Sequence, residues 1–237
     1  MNLLETRCLS RSFGGLKAVD NVDFAVPEGQ VRALIGPNGA GKSTFVAAVC
    51  GRIRAESGSV HFDGKDISRL PAHRRIEMGM AYTFQITSVF ANLTAHENVA
   101  LGVRRIARLG RRDIDQKVME VLDRVGLAER SDQSAGDLSY GHQRLLEIAM
   151  GLGQMPKLFI MDEPTQGLAE GEIEEFKHLI RQLAGDTTIL LIEHNMNVVM
   201  ETAEQITVLN SGCVLAEGTP EEVRANSDVQ AAYLGTG

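Results

Sequence analysis

The sequence is poor in aromatic residues, with no tryptophan and an aromatic share of 5%. This composition argues against the aromatic stacking surfaces on which many proteins hold single-stranded nucleic acid. Basic residues are also in the minority, because 24 Lys and Arg stand against 31 Asp and Glu, giving a net charge of −7. A net acidic chain is a poor candidate for binding a phosphate backbone, and we expect no nucleic-acid partner.

Long apolar runs and paired cysteines are absent as well. No stretch approaches the roughly 18 consecutive apolar residues of a membrane-spanning helix. Residues 1–5 lack the basic and apolar regions of a signal peptide. The three cysteines, Cys8, Cys50 and Cys213, are far apart and form no metal-binding pattern. We therefore expect free thiols in a reducing compartment.

The 237 residues suit one large domain, or one domain with a small lobe. From residue 94 to about residue 152 the apolar spacing is helical, and Thr94 with Glu97 forms a capping box. Strands alternating with helices elsewhere predict a mainly parallel sheet with helices on its faces. The helical middle would then be an inserted lobe. The predicted strands cover residues 3–9, 18–26, 31–35, 158–161 and 188–192, followed by a hairpin over 206–216.

A phosphate-binding loop is the strongest single motif, and it follows a predicted strand and opens a predicted helix. Its glycines let successive N–H groups point inward, and the positive end of the following helix faces the same anion. Lys42 would neutralise the β- and γ-phosphates, and the Ser43 hydroxyl, with Thr44 beside it, is placed to ligate Mg²⁺. The motif reads Gly36-Pro37-Asn38-Gly39-Ala40-Gly41-Lys42-Ser43 and matches G-x-x-x-x-G-K-[ST].

Two acids follow the apolar strand 158–161, at the end of the strand where open α/β sheets bind ligands. Asp162 is suited to hold Mg²⁺ through its water shell. Glu163 is suited to orient and deprotonate an attacking water. His194 ends the neighbouring strand and would lie beside both acids. The alternative interpretation is an acidic pair exposed to solvent and a structural histidine.

A third motif lies between the phosphate loop and the acids, and it reads Leu138-Ser139-Tyr140-Gly141-His142-Gln143. The order of phosphate loop, Gln85 after a strand, this signature, acidic strand and His194 resembles the ATP-binding subunits of ABC transporters across essentially the whole chain. The details are most similar to the subfamily that powers uptake of branched-chain and related hydrophobic amino acids. The segments that carry this likeness are residues 13–18, 83–85, 191–196 and 231–235.

The resemblance implies a P-loop NTPase: an α/β, RecA-like core with a mainly parallel sheet, an N-terminal antiparallel β subdomain and an α-helical subdomain over about 88–155, within one domain spanning 1–237. It implies that Phe13 stacks on adenine, although a core aromatic is the alternative. Gln85 would touch the Mg²⁺ site and relay its state to the helical lobe. Ser139, a good helix N-cap, and Gly141 would contact the γ-phosphate bound by an opposite subunit. His194 would hold the γ-phosphate and the attacking water.

The same resemblance implies ATP and Mg²⁺ as cofactors and a location at the cytoplasmic face of the inner membrane. Partners would be permease subunits, a second ATP-binding subunit that is identical or a paralogue, and indirectly an external solute-binding protein. A soluble ABC ATPase outside transport is the alternative. A P-loop kinase or GTPase is a further alternative, but the Ser139 signature has no role in those enzymes.

The sequence departs from the family pattern at three residues, and two further segments each have more than one interpretation. Tyr140 and His142 replace the usual Gly and Gln of the signature, and Ala169 stands where the family often has Asp or Asn. Residues 87–93 are either the lip of a groove for a permease loop or a buried connector. The remaining segment is a basic run that forms either a solvated surface or a contact for lipid headgroups or a partner; it comprises Arg104, Arg105, Arg108, Arg111 and Arg112.

Overall fold

The computed structural model describes residues 1–83, 88–106 and 110–234. Two sheets form its framework. The first has four antiparallel strands in the order β2-β1-β4-β5, and the second has six strands in the order β10-β9-β3-β8-β7-β6. The strands are β1 (Asn2–Phe13), β2 (Leu16–Pro27), β3 (Val31–Ile35), β4 (Ser57–Phe62), β5 (Lys65–Asp66), β6 (Met80–Tyr82), β7 (Leu158–Asp162), β8 (Thr188–Ile192), β9 (Gln205–Asn210) and β10 (Cys213–Gly218).

The larger sheet is parallel except at β10, which pairs antiparallel with β9. Every residue of β3, β7 and β8 is buried, as expected for strands covered on both faces. Because these three strands are neighbours and parallel, the loops after them meet at one edge of the sheet.

Nine α-helices lie in the described residues, and three of them form the lobe between β6 and β7. The buried face of this lobe includes Val118 and Leu122, at the helical spacing seen in the sequence. The helices are α1 (Lys42–Val49), α2 (Ala72–Glu77), α3 (Ala95–Ile106), α4 (Arg111–Arg124), α5 (Tyr140–Leu152), α6 (Glu170–Leu183), α7 (Met196–Thr202), α8 (Pro220–Ala225) and α9 (Ser227–Leu234). Of these, α3, α4 and α5 build the lobe.

Local signals in the sequence predicted most of these boundaries. The Thr94 capping box is present: the Glu97 carboxylate accepts from Thr94 N–H at 2.8 Å, and Thr94 Oγ1 accepts from Glu97 N–H at 3.1 Å. The 206–216 hairpin turns at Ser211 and Gly212, whose φ angles are 49° and 83°. β4, β5, α2, α7 and α9 were not predicted from the sequence, because they are short elements or rely on pairing with distant segments.

Two further expectations concern thiols and membrane spans. Cys8, Cys50 and Cys213 are free, as predicted; Cys50 is buried and the other two are exposed. Across residues 1–83, 88–106 and 110–234, no helix combines the length and the apolar character needed to cross a membrane.

Candidate nucleotide-binding site

The phosphate loop connects β3 to α1, and two of its glycines are sterically required. A Cβ at Gly36 would lie 2.1 Å from the Leu209 carbonyl oxygen, and one at Gly41 would lie 2.1 Å from that of Ala18. Gly41, with φ 101°, also occupies the N-cap position of α1. Because glycine has no side chain to cap the helix, the first N–H groups of α1 remain available to an anion.

Lys42 lies at the start of α1 and turns back over the loop. Its Nζ donates to the carbonyl oxygens of Gly36 at 2.6 Å and Pro37 at 3.1 Å. Burial lowers the pKa of Lys42, and the nearby carboxylates of Glu163 and Asp162 oppose this shift. The ammonium group is therefore held over the loop by neutral carbonyls that a phosphate can replace.

Asp162 ends β7 and is 8% exposed. Its Oδ2 accepts a hydrogen bond of 2.6 Å from the hydroxyl of Tyr82, which ends the neighbouring strand β6. Burial raises the pKa of Asp162, and the Tyr82 hydrogen bond opposes that shift. Tyr82 was missed from the sequence, because nothing local marks a tyrosine 80 residues away as a partner of the acid.

Glu163 and His194 meet directly. His194 Nε2 lies 2.9 Å from Glu163 Oε1. The Glu163 N–H donates to the Ile192 carbonyl oxygen at 2.8 Å, which joins the end of β7 to the end of β8. Glu163 has a φ of 48°, a left-handed backbone conformation that is unfavourable for a side chain with a Cβ. The fold therefore holds this carboxylate in a conformation that it would not adopt alone.

Glu193 is a second residue that sequence reasoning missed. It is 3% exposed. Its Oε1 accepts from the Thr165 N–H at 3.0 Å and from the Thr165 hydroxyl at 2.6 Å, and its Oε2 accepts from the His194 N–H at 2.9 Å. One buried carboxylate thus joins the loop after Glu163 to the backbone of His194. Its position directly before His194 was the only signal in the sequence.

The phosphate loop, Glu163 and His194 line an open cleft of about 620 Å³, and Asp162 is not among its lining residues. Phe13 lies at its rim with 48% of its surface exposed, and the Arg11 guanidinium stands 4.6 Å from its ring centroid. Phe13 is therefore not a core aromatic, and its ring is accessible from the cleft. The residues lining the cleft include Phe13, Leu16, Asn38, Gly39, Ala40, Gly41, Lys42, Ser43, Thr44, Glu163 and His194.

The signature lies at the N-terminus of α5, and its residues are not among those that line this cleft. Ser139 caps α5, since its Oγ accepts from the His142 N–H at 3.3 Å, and His142 Nδ1 lies 3.0 Å from the same oxygen. The Tyr140 hydroxyl donates to the Gln166 carbonyl oxygen at 3.2 Å. Gly141 is buried, and a Cβ there would overlap the carboxylate of Glu172.

Arg144 follows the signature on α5 and is 1% exposed. Its guanidinium donates to the main-chain carbonyl oxygens of Asp162 at 3.2 Å, Glu163 at 2.8 Å and Pro164 at 3.2 Å. It also pairs with the buried carboxylate of Glu147 at 2.6 Å. Arg144 was missed from the sequence, because its main-chain partners at residues 162–164 are 18 to 20 positions away.

Gln85, Ala169 and the basic run were also singled out in the sequence. Gln85 lies outside the described residues. Ala169 occupies the N-cap of α6, where the Glu172 carboxylate accepts from its N–H at 2.9 Å, but its methyl side chain cannot accept a bond in return. The exposed residues of the basic run are Arg104, Arg105 and Arg112; Arg108 and the Arg111 side chain lie outside the described part. Both interpretations of the run stay open.

The residues present fit a magnesium nucleotide. An uncapped helix N-terminus, glycines whose Cβ would strike backbone, and the Lys42 ammonium are suited to polyphosphate. The exposed Ser43 hydroxyl and the Asp162 carboxylate are the oxygen ligands that Mg²⁺ prefers. The Glu163–His194 pair adds a carboxylate of the kind that activates water.

Comparison with known proteins gives matches over the whole chain. Residues 19–166 match the family model for ABC transporter, and residues 213–237 match that for branched-chain amino acid ATP-binding cassette transporter. The chain is 40% identical to the high-affinity branched-chain amino acid transport ATP-binding protein BraF of Pseudomonas aeruginosa, with 98% of both chains covered. It is 36% identical to the corresponding protein LivG of Escherichia coli, again over 98% of both.

The fold has a solved counterpart. The structure is similar to a crystal structure of the ADP conformation of an ATP-binding cassette of an ABC transporter, with a TM-score of 0.90 and 30% identity. The similarity covers 99% of each chain, so it includes the antiparallel sheet, the parallel core and the helical lobe. The fold class predicted from the sequence is thereby confirmed.

Proposed function

The chain belongs to the ABC transporter family, as its motif order indicated, and we propose that it is the ATP-hydrolysing subunit of an importer for branched-chain or related hydrophobic amino acids. The observation that carries the ATPase assignment is the contact of Glu163 with His194 beside the phosphate loop. The cleft thus holds a phosphate cradle and a carboxylate–imidazole pair together.

Binding of ATP is assigned to the phosphate loop and Phe13. The N–H groups at the start of α1 would hold the phosphates, and Lys42 would exchange its two carbonyl partners for phosphate oxygens. The accessible Phe13 ring would stack on adenine. Ser43 and Asp162 would hold Mg²⁺, with Gln85 as a further contact; the ion neutralises phosphate charge and orients the terminal group for attack.

Hydrolysis is assigned to Glu163 and His194. The Glu163 carboxylate would orient a water molecule and accept its proton as the water attacks the γ-phosphorus, so that ADP leaves and phosphate is released. His194, 2.9 Å from that carboxylate, would fix its orientation and contact the γ-phosphate. Glu163 has a left-handed backbone and lines the same cleft as the phosphate loop.

Two copies of the fold are needed for the complete site. Ser139 is exposed at the N-terminus of α5 and is not among the residues lining the cleft of its own chain. A helix N-terminus with a hydroxyl is suited to an anion. We propose that Ser139 and Gly141 face the γ-phosphate held by a second ATP-binding subunit, identical or paralogous, so that ATP closes the dimer and its hydrolysis opens it.

The membrane partner is assigned from the named relatives and from one exposed residue. BraF and LivG are described as branched-chain amino acid transport ATP-binding proteins, and the C-terminal match points the same way. Phe90 is 54% exposed, and the buried Asn98 holds its backbone through bonds to its N–H and carbonyl groups. We assign Phe90 to the contact with a permease at the cytoplasmic membrane face, with a solute-binding protein acting outside.

The experiment replaces the proposed base while keeping its shape. Glu163→Gln should retain ATP binding and lower the rate of phosphate release by roughly 10²–10⁴, the usual contribution of a positioned base. Glu175→Gln makes the same chemical change at an exposed position of α6 and should keep the parent rate. Phosphate release by Glu163→Gln at the parent rate would contradict the assignment.

The same assay addresses the alternatives. A P-loop kinase would pass the γ-phosphate to a second substrate rather than to water, so release of free phosphate by the chain alone separates the two. A soluble ATPase outside transport would not purify with a membrane permease. The whole-length similarity to transport proteins favours the importer.

A further inference from the structure

We propose that Arg144 is a positioning residue for Glu163, and that it links the signature helix α5 to the proposed base of the same chain. This inference rests on the proposed function, because it concerns how Glu163 is held for hydrolysis. Arg144 is not itself assigned any contact with nucleotide or water.

Three of the hydrogen bonds that Arg144 donates go to the main chain of three consecutive residues. Its Nη2 donates to the carbonyl oxygens of Asp162 and Glu163, at 3.2 and 2.8 Å, and its Nε donates to that of Pro164 at 3.2 Å. The opposite side of the guanidinium is held by Glu147, one helical turn further along α5, at 2.6 Å. A planar group with five N–H donors can satisfy all of these partners at once, which an ammonium cannot.

The backbone that Arg144 holds is the strained one. Glu163 has a φ of 48°, and its peptide groups face the arginine on both sides. An isolated chain would relax such a residue toward a right-handed or extended conformation. Relaxation would rotate the Glu163 side chain away from His194. The arginine opposes this because every one of its carbonyl contacts would have to break or lengthen.

Arg144 also connects the signature to the proposed base. Arg144 lies five positions after Ser139, which is the N-cap of the helix that contains Arg144. When Ser139 meets the phosphate of the opposite subunit, any shift of α5 is passed through Arg144 to the carbonyl groups around Glu163. Occupation of one ATP site would therefore adjust the base of the other.

The test compares two buried arginines. Arg144→Lys keeps the positive charge but removes the planar guanidinium group. Arg75→Lys makes the same change at a site that is equally buried. Arg75 is 2% exposed and donates to the carbonyl oxygens of Leu70 and Ala48, both at 2.9 Å, away from the acids. Each variant is assayed at the same interval below its own unfolding temperature, so that a general loss of stability is matched.

Arg144→Lys should lower kcat by about 10–100-fold, the order expected when a catalytic group is misplaced by about 1 Å, with an ATP Kd within about twofold of the parent. Arg75→Lys should change neither. In the Glu163→Gln background, Arg144→Lys should cause no further loss of kcat, because its effect acts through Glu163. A merely structural role would give an independent, additive loss.

Two results would overturn the inference: equal kcat for Arg144→Lys and Arg75→Lys, or additive losses in the double variant. If Arg144→Lys does not fold, Glu147→Gln removes the charged partner of the guanidinium and should lower kcat in the same direction; an unchanged kcat would then refute the link. Failure of the proposed function is distinguishable, since in that case Glu163→Gln keeps the parent rate of phosphate release.

Discussion

Replacing Tyr82 by Phe removes a single hydroxyl, the one that donates to Asp162 Oδ2 at 2.6 Å. We expect the phenylalanine ring to occupy the position of the tyrosine ring, whose centroid lies 5.3 Å from the Arg52 guanidinium. The variant therefore removes the hydrogen bond that this hydroxyl donates to a buried carboxylate. Asp162 is 8% exposed, so water can replace the lost donor only in part.

The expected loss of stability follows from the charge on Asp162. A hydrogen bond to a charged group contributes about 1.5–3 kcal/mol, and for a chain of this length that lowers Tm by roughly 3–12 °C at pH 7. Because the hydroxyl lowers the pKa of Asp162, its removal raises that pKa further. A carboxyl group with a raised folded-state pKa stabilises the fold below the unfolded value of 3.8, and that stability is lost as the pH rises through the folded value.

The difference in stability between parent and Tyr82→Phe should therefore be largest at neutral pH. It should shrink towards the ~0.5–1.5 kcal/mol of a bond between neutral groups as Asp162 becomes protonated. Thermal and urea unfolding at pH 7, 5 and 4 measure this difference. Tyr140→Phe removes an exposed hydroxyl and should change stability by less than about 0.5 kcal/mol at every pH. A loss for Tyr82→Phe that is absent at pH 7, or independent of pH, would refute the reasoning.

A functional consequence follows from the same bond. Removing the group that orients a metal ligand commonly costs about 10–100-fold in metal affinity. The Mg²⁺ concentration that supports half-maximal hydrolysis should rise by that order in Tyr82→Phe, and it should be unchanged in Tyr140→Phe.

Two further outcomes are expected. Ala169→Ser supplies the missing half of the cap of α6 and should raise stability by about 1 kcal/mol, or roughly 2–4 °C in Tm. Thr219→Ala removes the side-chain half of the capping box of α8, leaving the bond from the residue-219 N–H to Glu222, and should lower stability by a similar amount. Thermal unfolding that moves Ala169→Ser downward would contradict the first. Phe90→Ala should abolish co-purification with the permease while phosphate release by the isolated chain stays within about twofold; Met119→Ala, a 38% exposed apolar residue on α4, should keep the complex, and a retained complex in Phe90→Ala would exclude that residue from the contact.

Features that depend on neighbours in the chain were predictable from the sequence. The phosphate loop, the capping box at Thr94 and the hairpin turn at residues 210–212 are each made by residues a few positions apart, so their chemistry and geometry are written in a short pattern. The signature and the acidic strand were recognisable for the same reason. Even the contact of Glu163 with His194 was foreseeable, because parallel strands that end at one edge bring their following residues together.

The partners that hold those groups in place were decided by the tertiary structure. Tyr82 reaches Asp162 only because β6 pairs with β7, and the two residues are 80 positions apart. Glu193 meets Thr165 across 28 positions, and Arg144 meets the Glu163 backbone because the lobe docks α5 onto the end of β7. A short pattern determines which atoms are present, whereas the pairing of strands and the docking of a lobe determine which distant atoms come within bonding distance of them.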